Sequence, residues 1–286
     1  MQVQGFFHAD TATVTYGVFD PVTRAAALID TVLDYEPASG KISTTFADRL
    51  IAWLDSHALR LEWLLETHIH ADHLSAARYL RERRGGRIGI GSGVAGVLSY
   101  WQPVFGRDDI PGPGQGFDAY FSDGERLALG ELSIEVLVTP GHTDSCVSYR
   151  IGDAVFVGDT LFMPDVGTAR TDFPGGDPAV QYRSLRRLLA LPESTVLYTG
   201  HDYPPDGREV AWASTVAEQR RSNRLIHDGV SEADYVANRR ARDEGKPAPR
   251  LLLPSLQVNL RAGGLGEVNA QGRKTLTIPL RGDWLG

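Results

Sequence analysis

The chain contains a single cysteine, Cys146, so no disulfide can form within it. Long apolar runs are absent too. None approaches the ~18–20 residues that a membrane-spanning helix requires. Basic charge is not in excess: 29 Lys and Arg stand against 36 Asp and Glu, a net charge of -7. That balance gives no electrostatic case for a nucleic-acid partner. The opening residues, "MQVQGFFHADTATVTYG", lack the basic-then-apolar layout of a secretory leader. Together these absences lead to the expectation of a cytoplasmic protein with neither membrane nor nucleic acid as a partner. At 286 residues the chain is long enough to bury a large core.

What is present alternates between strand and helix. "TVTYGVF" (13–19) and "AAALID" (25–30) flank a turn containing Pro21 and read as an antiparallel hairpin. In residues 44–56, Phe46, Leu50, Trp53 and Leu54 recur at helical spacing. "LEWLLE" (61–66) reads as a buried strand, and Asp72 as the cap of a helix running to about Arg84, stopped by Gly85-Gly86. "LSIEVLVTP" (132–140), the hairpin "CVSYRIGDAVFVGD" (146–159) and "STVLYTGHDY" (194–203) supply further strands, and "AVQYRSLRRLLAL" (179–191) an amphipathic helix. Residues 209–244 read as two charged helices, and 247–286 carry little periodicity. Strands, hairpins and helices so mixed predict an α/β fold, a four-layer αββα sandwich rather than a doubly wound parallel sheet. Residues 1–286 are expected to form one domain, with 206–286 as a helix-and-loop extension packed on it.

The chemistry lies at strand ends. His68, His70, Asp72 and His73 follow "LEWLLE", His142 follows "IEVLVTP", Asp159 closes "AVFVGD", and His201 follows "TVLYTG". A lone histidine after a strand is ordinarily a surface residue. Four strand ends that all finish in metal-capable side chains predict that the ends converge on one edge and hold a metal. Imidazole and carboxylate suit zinc or iron. The other histidines, His8, His57 and His227, read as structural or solvent-facing. Cys146 reads as a small buried core residue. "GSGVAG" (91–96) matches G-x-G-x-x-G, but the following segment runs into Pro103 and no parallel strand follows at the right distance. Its glycines are expected to serve a tight turn.

"THIHADH" (67–73), "PGHT" (140–143), "VGD" (157–159) and "GHDY" (200–203) resemble the ordered signature of the metallo-β-lactamase superfamily. By that resemblance His68, His70 and His142 make one metal site, Asp72, His73 and His201 a second, and Asp159 bridges them. "ARTDFPGGD" (169–177) and "GHDYPPDGREVAWASTVAEQRRSN" (200–223) are similar to segments of the glutathione persulfide dioxygenases (sulfur dioxygenases), more than to those of glyoxalase II. The resemblance to the dioxygenases implies one ferrous ion, Fe(2+), per chain on His68, His142 and Asp159. Two histidines and a carboxylate leave coordination positions open, as O2 and a persulfide sulfur require. His70, Asp72, His73 and His201 then orient the ligands and bound water. The implied reaction converts glutathione persulfide, O2 and water to glutathione and sulfite. The same residues also fit a Zn(2+) pair, which would activate water against a thioester or lactone as in glyoxalase II. A third class, a metal- or redox-sensing module, is disfavoured by the complete ligand set. Arg170 is the candidate grip for a glutathione carboxylate, with pairing to Asp172 as the alternative, and Tyr203 is a second candidate contact. A homodimer is expected.

Overall fold

The computed structural model describes residues 1–112 and 114–280. Its first sheet has strand order β1 (Gln2–His8), β2 (Thr13–Phe19), β3 (Ala25–Ile29), β6 (Arg60–Glu66), β8 (Arg87–Gly91), β9 (Ala119–Phe121). The second runs β10 (Arg126–Leu129), β11 (Leu132–Val138), β12 (Val147–Ile151), β13 (Ala154–Gly158), β14 (Val196–Thr199), β15 (Ala213–Thr215). A small third sheet pairs β4 (Val32–Glu36) with β5 (Lys41–Ser43) and β7 (Leu74–Ser75). Helices α1 (Thr45–Ser56), α2 (Ala77–Arg84), α3 (Val94–Phe105) and α7 (Leu252–Asn259) are the first sheet's companions, and α4 (Pro178–Leu189), α5 (Val216–Ser222) and α6 (Glu232–Asp243) the second's.

Three hydrophobic clusters account for the layering. One strand contributes to two of them because successive side chains point to opposite faces. On β3, Ala25, Ala27 and Ile29 join Tyr16, Val136, Tyr149 and Phe156 between the sheets. Ala26 and Leu28 turn the other way, to Leu50, Leu54, Leu80 and Leu98 of the helices. On β13, Phe156 faces the first sheet, whereas Val155 and Val157 meet Leu185 and Leu188 of α4 and Tyr235 of α6. Each fully buried Leu or Val contributes roughly 1.5–3 kcal/mol relative to exposure. The expected αββα sandwich is therefore present. No helix among the described residues is long and apolar enough to cross a membrane.

Two expectations need correction. Asp72 does not cap a helix: α2 begins at Ala77, has no side-chain cap, and is separated from the histidine run by β7. Residues 67–73 form an irregular loop instead, which frees all four polar side chains for the site. The weakly periodic tail contains a helix, α7, because it is wedged in apolar surroundings on most sides and so shows little amphipathic contrast. Pro254 lies in its first turn, where a missing N–H costs nothing. The residues 91–96 pattern does serve close packing. A Cβ on Gly93 would stand 1.9 Å from the Asp144 carbonyl oxygen, so the loop's glycines admit the 144–147 segment rather than a dinucleotide.

Candidate metal centre

β13 and β14 are parallel, and β11 runs in the same direction because two antiparallel pairings separate it from β13. Their carboxyl ends therefore open on one edge, and the loops after them carry His142, Asp159 and His201. In the first sheet β6 delivers the 67–73 loop to the same edge. The sheets are sewn together there: Val147 N–H donates to the Thr67 carbonyl at 2.9 Å, Val14 N–H to that of Gly200 at 2.8 Å, and the Tyr149 hydroxyl to that of Glu66 at 2.8 Å. Gly158 has φ +51, and a Cβ there would lie 2.3 Å from Thr67 Oγ1. Only glycine lets the Asp159 strand approach the histidine loop this closely.

All seven ligand candidates from the sequence come together. His68, His142 and Asp159 present atoms within 4.8 Å of one another, as do His70, Asp72, His73 and His201. Asp159 spans both groups: its Oδ2 lies 3.9 Å from His68 Nε2 and 3.8 Å from His142 Nε2, and its Oδ1 3.4 Å from His201 Nε2. Every histidine has one ring nitrogen engaged on the far side. His142 Nδ1–H donates to the Arg170 carbonyl at 2.7 Å, and His201 Nδ1–H to that of Ala12 at 3.2 Å. The Thr67 hydroxyl donates to Asp30 and so accepts from His68 Nδ1–H at 3.0 Å. His70 Nε2–H lies between Asp30 Oδ1 at 3.0 Å and Glu66 Oε2 at 3.2 Å. The opposite nitrogens are thus left as lone pairs turned inward. His70 Nδ1, Asp72 Oδ2, His73 Nε2, Asp159 Oδ1 and His201 Nε2 are buried with no hydrogen-bond partner. Buried acceptors without donors are costly, and a cation shared among them removes that cost. The donor set therefore fits a metal ion.

Electrostatics follow from that arrangement. Burial pulls His68 well below the usual imidazole range and His73 down to about 4, which keeps both neutral as ligands must be. Burial also depresses His70 and His201, but carboxylates outweigh it: Asp30 and Glu66 raise His70 well above its ordinary value, and Asp159 and Asp72 raise His201. Burial lifts Asp159 upward.

A cavity of about 310 Å³ opens from this centre, lined by Asp72, His142 and Asp159 at its base. Phe162, Phe173 and Tyr203 line its walls, and Arg170, Arg242 and Lys246 supply positive charge. Tyr203 stacks on His201, rings 5.5 Å apart and 6° from parallel, while remaining 48% exposed. Arg170 is largely spoken for. Its Nε and Nη2 donate to the two oxygens of Asp172, each at 2.6 Å, and its Nη1 to the Pro247 carbonyl at 2.8 Å. A larger cavity, of about 750 Å³, lies between the β4–β5 hairpin, α7 and residues 274–279, and no histidine or carboxylate lines it.

Sequence reasoning missed five contributors. Asp30 and Glu66 buttress His70. Arg242 and Lys246 come from α6 and the residues just after it, whose sequence shows only a charged helix. Asn259, at the end of α7, donates to the carbonyls of His70 and His73 and accepts from Ser75 N–H, all at 2.8 Å. The C-terminal extension thus clamps the ligand loop. No sequence signal marks Asn259, since the contact joins residues nearly 190 positions apart. Cys146 is buried, and burial pushes its thiol up to about 12, as suits a core residue.

The model of the metallo-beta-lactamase superfamily matches residues 13–201, and the chain belongs to that superfamily. It is a metal-dependent enzyme of this class. A probable metallo-hydrolase of Burkholderia pseudomallei is 51% identical over 98% of this chain and 99% of its own length. Glyoxylase B2 of Dictyostelium discoideum is 44% identical, covering 98% and 97%. The mitochondrial persulfide dioxygenase ETHE1 of Homo sapiens is 30% identical over 90% of this chain and 87% of its own. Among solved structures, ETHE1 from Myxococcus xanthus superposes with a TM-score of 0.75 at 31% identity, covering 92% of this chain and all of that one.

Proposed function

We propose that the protein is an iron(II)-dependent persulfide dioxygenase that oxidises glutathione persulfide with O2 to sulfite and glutathione. The observation that carries this reading is the placement of His68, His142 and Asp159. Two imidazoles and one carboxylate gather together, with His142 and Asp159 lining the open cavity and His68 buried beside them. Such a set would hold an iron and leave coordination positions to ligands from solvent. Iron bound there supplies the redox chemistry that side chains lack. Similarity along nearly the whole chain to the two ETHE1 proteins supports the reading.

The chain's own residues do the positioning. Arg242 and Lys246 offer cations to the carboxylates of a glutathione moiety, while Arg170 shapes the wall with its guanidinium held by Asp172. Phe162 and Phe173 exclude water around the persulfide end. Tyr203 lies over His201 where the cavity meets solvent.

A second reading, a dinuclear zinc hydrolase acting on thioesters or lactones, is favoured by one specific observation. The four inward-facing atoms of His70, Asp72, His73 and His201 lack partners, as a second ion would require. The hydrolase and glyoxylase names of two relatives agree with it. Anaerobic purification, metal analysis and an oxygen electrode separate the two. One iron per chain with O2 consumed on glutathione persulfide supports the dioxygenase. S-lactoylglutathione cleavage with no O2 uptake would replace it with the hydrolase.

A further inference from the structure

The β1–β2 turn lies behind the second group of ligands and engages two of them. Ala12 accepts from His201 Nδ1–H, and Thr13 pairs with His201 across an isolated bridge. Thr13 Oγ1 lies 3.4 Å from His73 Nδ1 and 2.8 Å from Thr11 Oγ1. Thr11 Oγ1 is 2.8 Å from His8 Nδ1, and His8 Nε2 is 3.2 Å from Asp34 Oδ1. The chain of contacts therefore runs unbroken from a buried ligand candidate to a partly exposed carboxylate.

Its polarity is set from the far end. The Asp34 carboxylate only accepts, so His8 donates from Nε2. The Thr11 hydroxyl lies 2.8 Å from His8 Nδ1, and the Thr13 hydroxyl donates to the Thr11 carbonyl at 3.5 Å. Thr11 in turn accepts from Thr13, and Thr13 from His73 Nδ1–H. The other end of His73, Nε2, is left as a lone pair, buried and without a partner. The Ala12 carbonyl imposes the same tautomer on His201, whose Nε2 is likewise unpartnered. Hydrogen bonds on the remote nitrogen of a histidine ligand fix its tautomer and ring orientation.

We propose that His8, Thr11 and Thr13 are positioning residues which hold His73 as the Nδ1–H tautomer, beside a His201 fixed by the Ala12 carbonyl, and so ready His70, Asp72, His73 and His201 to take a second divalent cation. This rests on the centre being a metal site and not on dioxygenase chemistry. It gives His8 a part that its position in the sequence, far from every motif, does not suggest.

The test uses Zn²⁺ as the probe ion on the full-length protein, with calorimetric titration and long-range ¹H–¹⁵N spectra of the imidazoles. The wild type is expected to take two equivalents, with His73 protonated at Nδ1. Thr13→Val should weaken the second equivalent by roughly 10–100-fold, abolish the His73 Nδ1–H signal and leave the first equivalent within about twofold. Thr13→Ser should restore both. Thr11→Val touches no ligand and is part-exposed, so it tests the relay should Thr13→Val fail to fold; about a tenfold loss at the second equivalent is expected. Uptake of a single equivalent by the wild type would overturn the proposal. So would an unchanged second affinity and unchanged His73 spectrum in Thr11→Val. Either result would leave O2 uptake on glutathione persulfide as a separate question, whose failure would sink the dioxygenase reading alone.

Discussion

The two ligand groups are built from the same residue types and differ in surroundings. His142 and Asp159 line the cavity, with His68 buried beside them. Of the group of His70, Asp72, His73 and His201, Asp72 alone lines the cavity, and all three histidines are at most 2% exposed. The first group has room beside it for a substrate. The second meets the cavity only at Asp72, and its histidines are enclosed by remote partners, namely Asp30, Glu66, Thr13, Ala12 and Asn259. Open coordination suits chemistry on a bound molecule, whereas a caged set suits an ion or a rigid outer support. Asp159 belongs to both, and the contrast is sharpest when it is removed.

The largest effect is expected for Asp159→Ala. With its two oxygens turned to different groups, its loss should cost metal affinity beyond the ~10–100-fold typical of an outer partner, read as metal retained after dialysis. If instead one group kept its ion at wild-type affinity, the two would be independent. Next comes Asn259→Ala, which strips three hydrogen bonds from the 70–75 loop and leaves two buried carbonyls bare. A loss of roughly 2–4 kcal/mol is expected in urea unfolding of the apo protein, together with weaker binding at the caged group before the open one. Reversed order would show that the clamp serves the cavity side.

A smaller effect separates the cations of the cavity. Arg242→Ala should raise KM for glutathione persulfide about tenfold with kcat near wild type, the mark of lost uniform binding. Arg170→Ala should chiefly lower Tm, because its guanidinium braces Asp172 and the Pro247 carbonyl. If Arg170→Ala alone moved KM, the anchor would be Arg170 after all. The smallest effect lies far from both groups. Asp20 accepts from Val22 N–H, Thr23 Oγ1 and Glu131 N–H, and these bonds hold its carboxyl at about 2, below the ordinary 3.8. A depressed carboxyl contributes stability that is present above pH 3.8 and lost as pH falls through 2. Asp20→Asn should therefore be less stable than the wild type at pH 7, with the gap closing between pH 4 and pH 2 in acid unfolding curves. Metal loss on acidification should be unaltered.

Much of this was legible in the residues. The unbroken apolar runs "AAALI" and "AVFVG" follow from sheets that are covered on both faces, and the amphipathic pattern of "AVQYRSLRRLLAL" from a helix covered on one. The ligand candidates were legible because metal-capable side chains ended four separate strands. α7 was not, since Ser255, Gln257 and Asn259 are buried alongside Leu256 and Val258 and erase the periodic contrast. Arg170 could be read either as a substrate grip or as a brace, because its partner Asp172 is two residues away and the sequence does not say which way either side chain turns. Asp30 and Glu66 read as ordinary strand-end acids until the fold set them on either side of His70.

By itself, then, the order of residues determined the layers, the superfamily and the identity of seven potential ligands, because hydrophobic periodicity and short motifs are local properties of the chain. Only the tertiary structure decided which nitrogen each histidine turns inward, which cations line the cavity, and that His8 and Asn259 reach the centre at all. Those outcomes depend on hydrogen bonds between segments as much as 190 residues apart, and such pairings exist only once the sheets have closed.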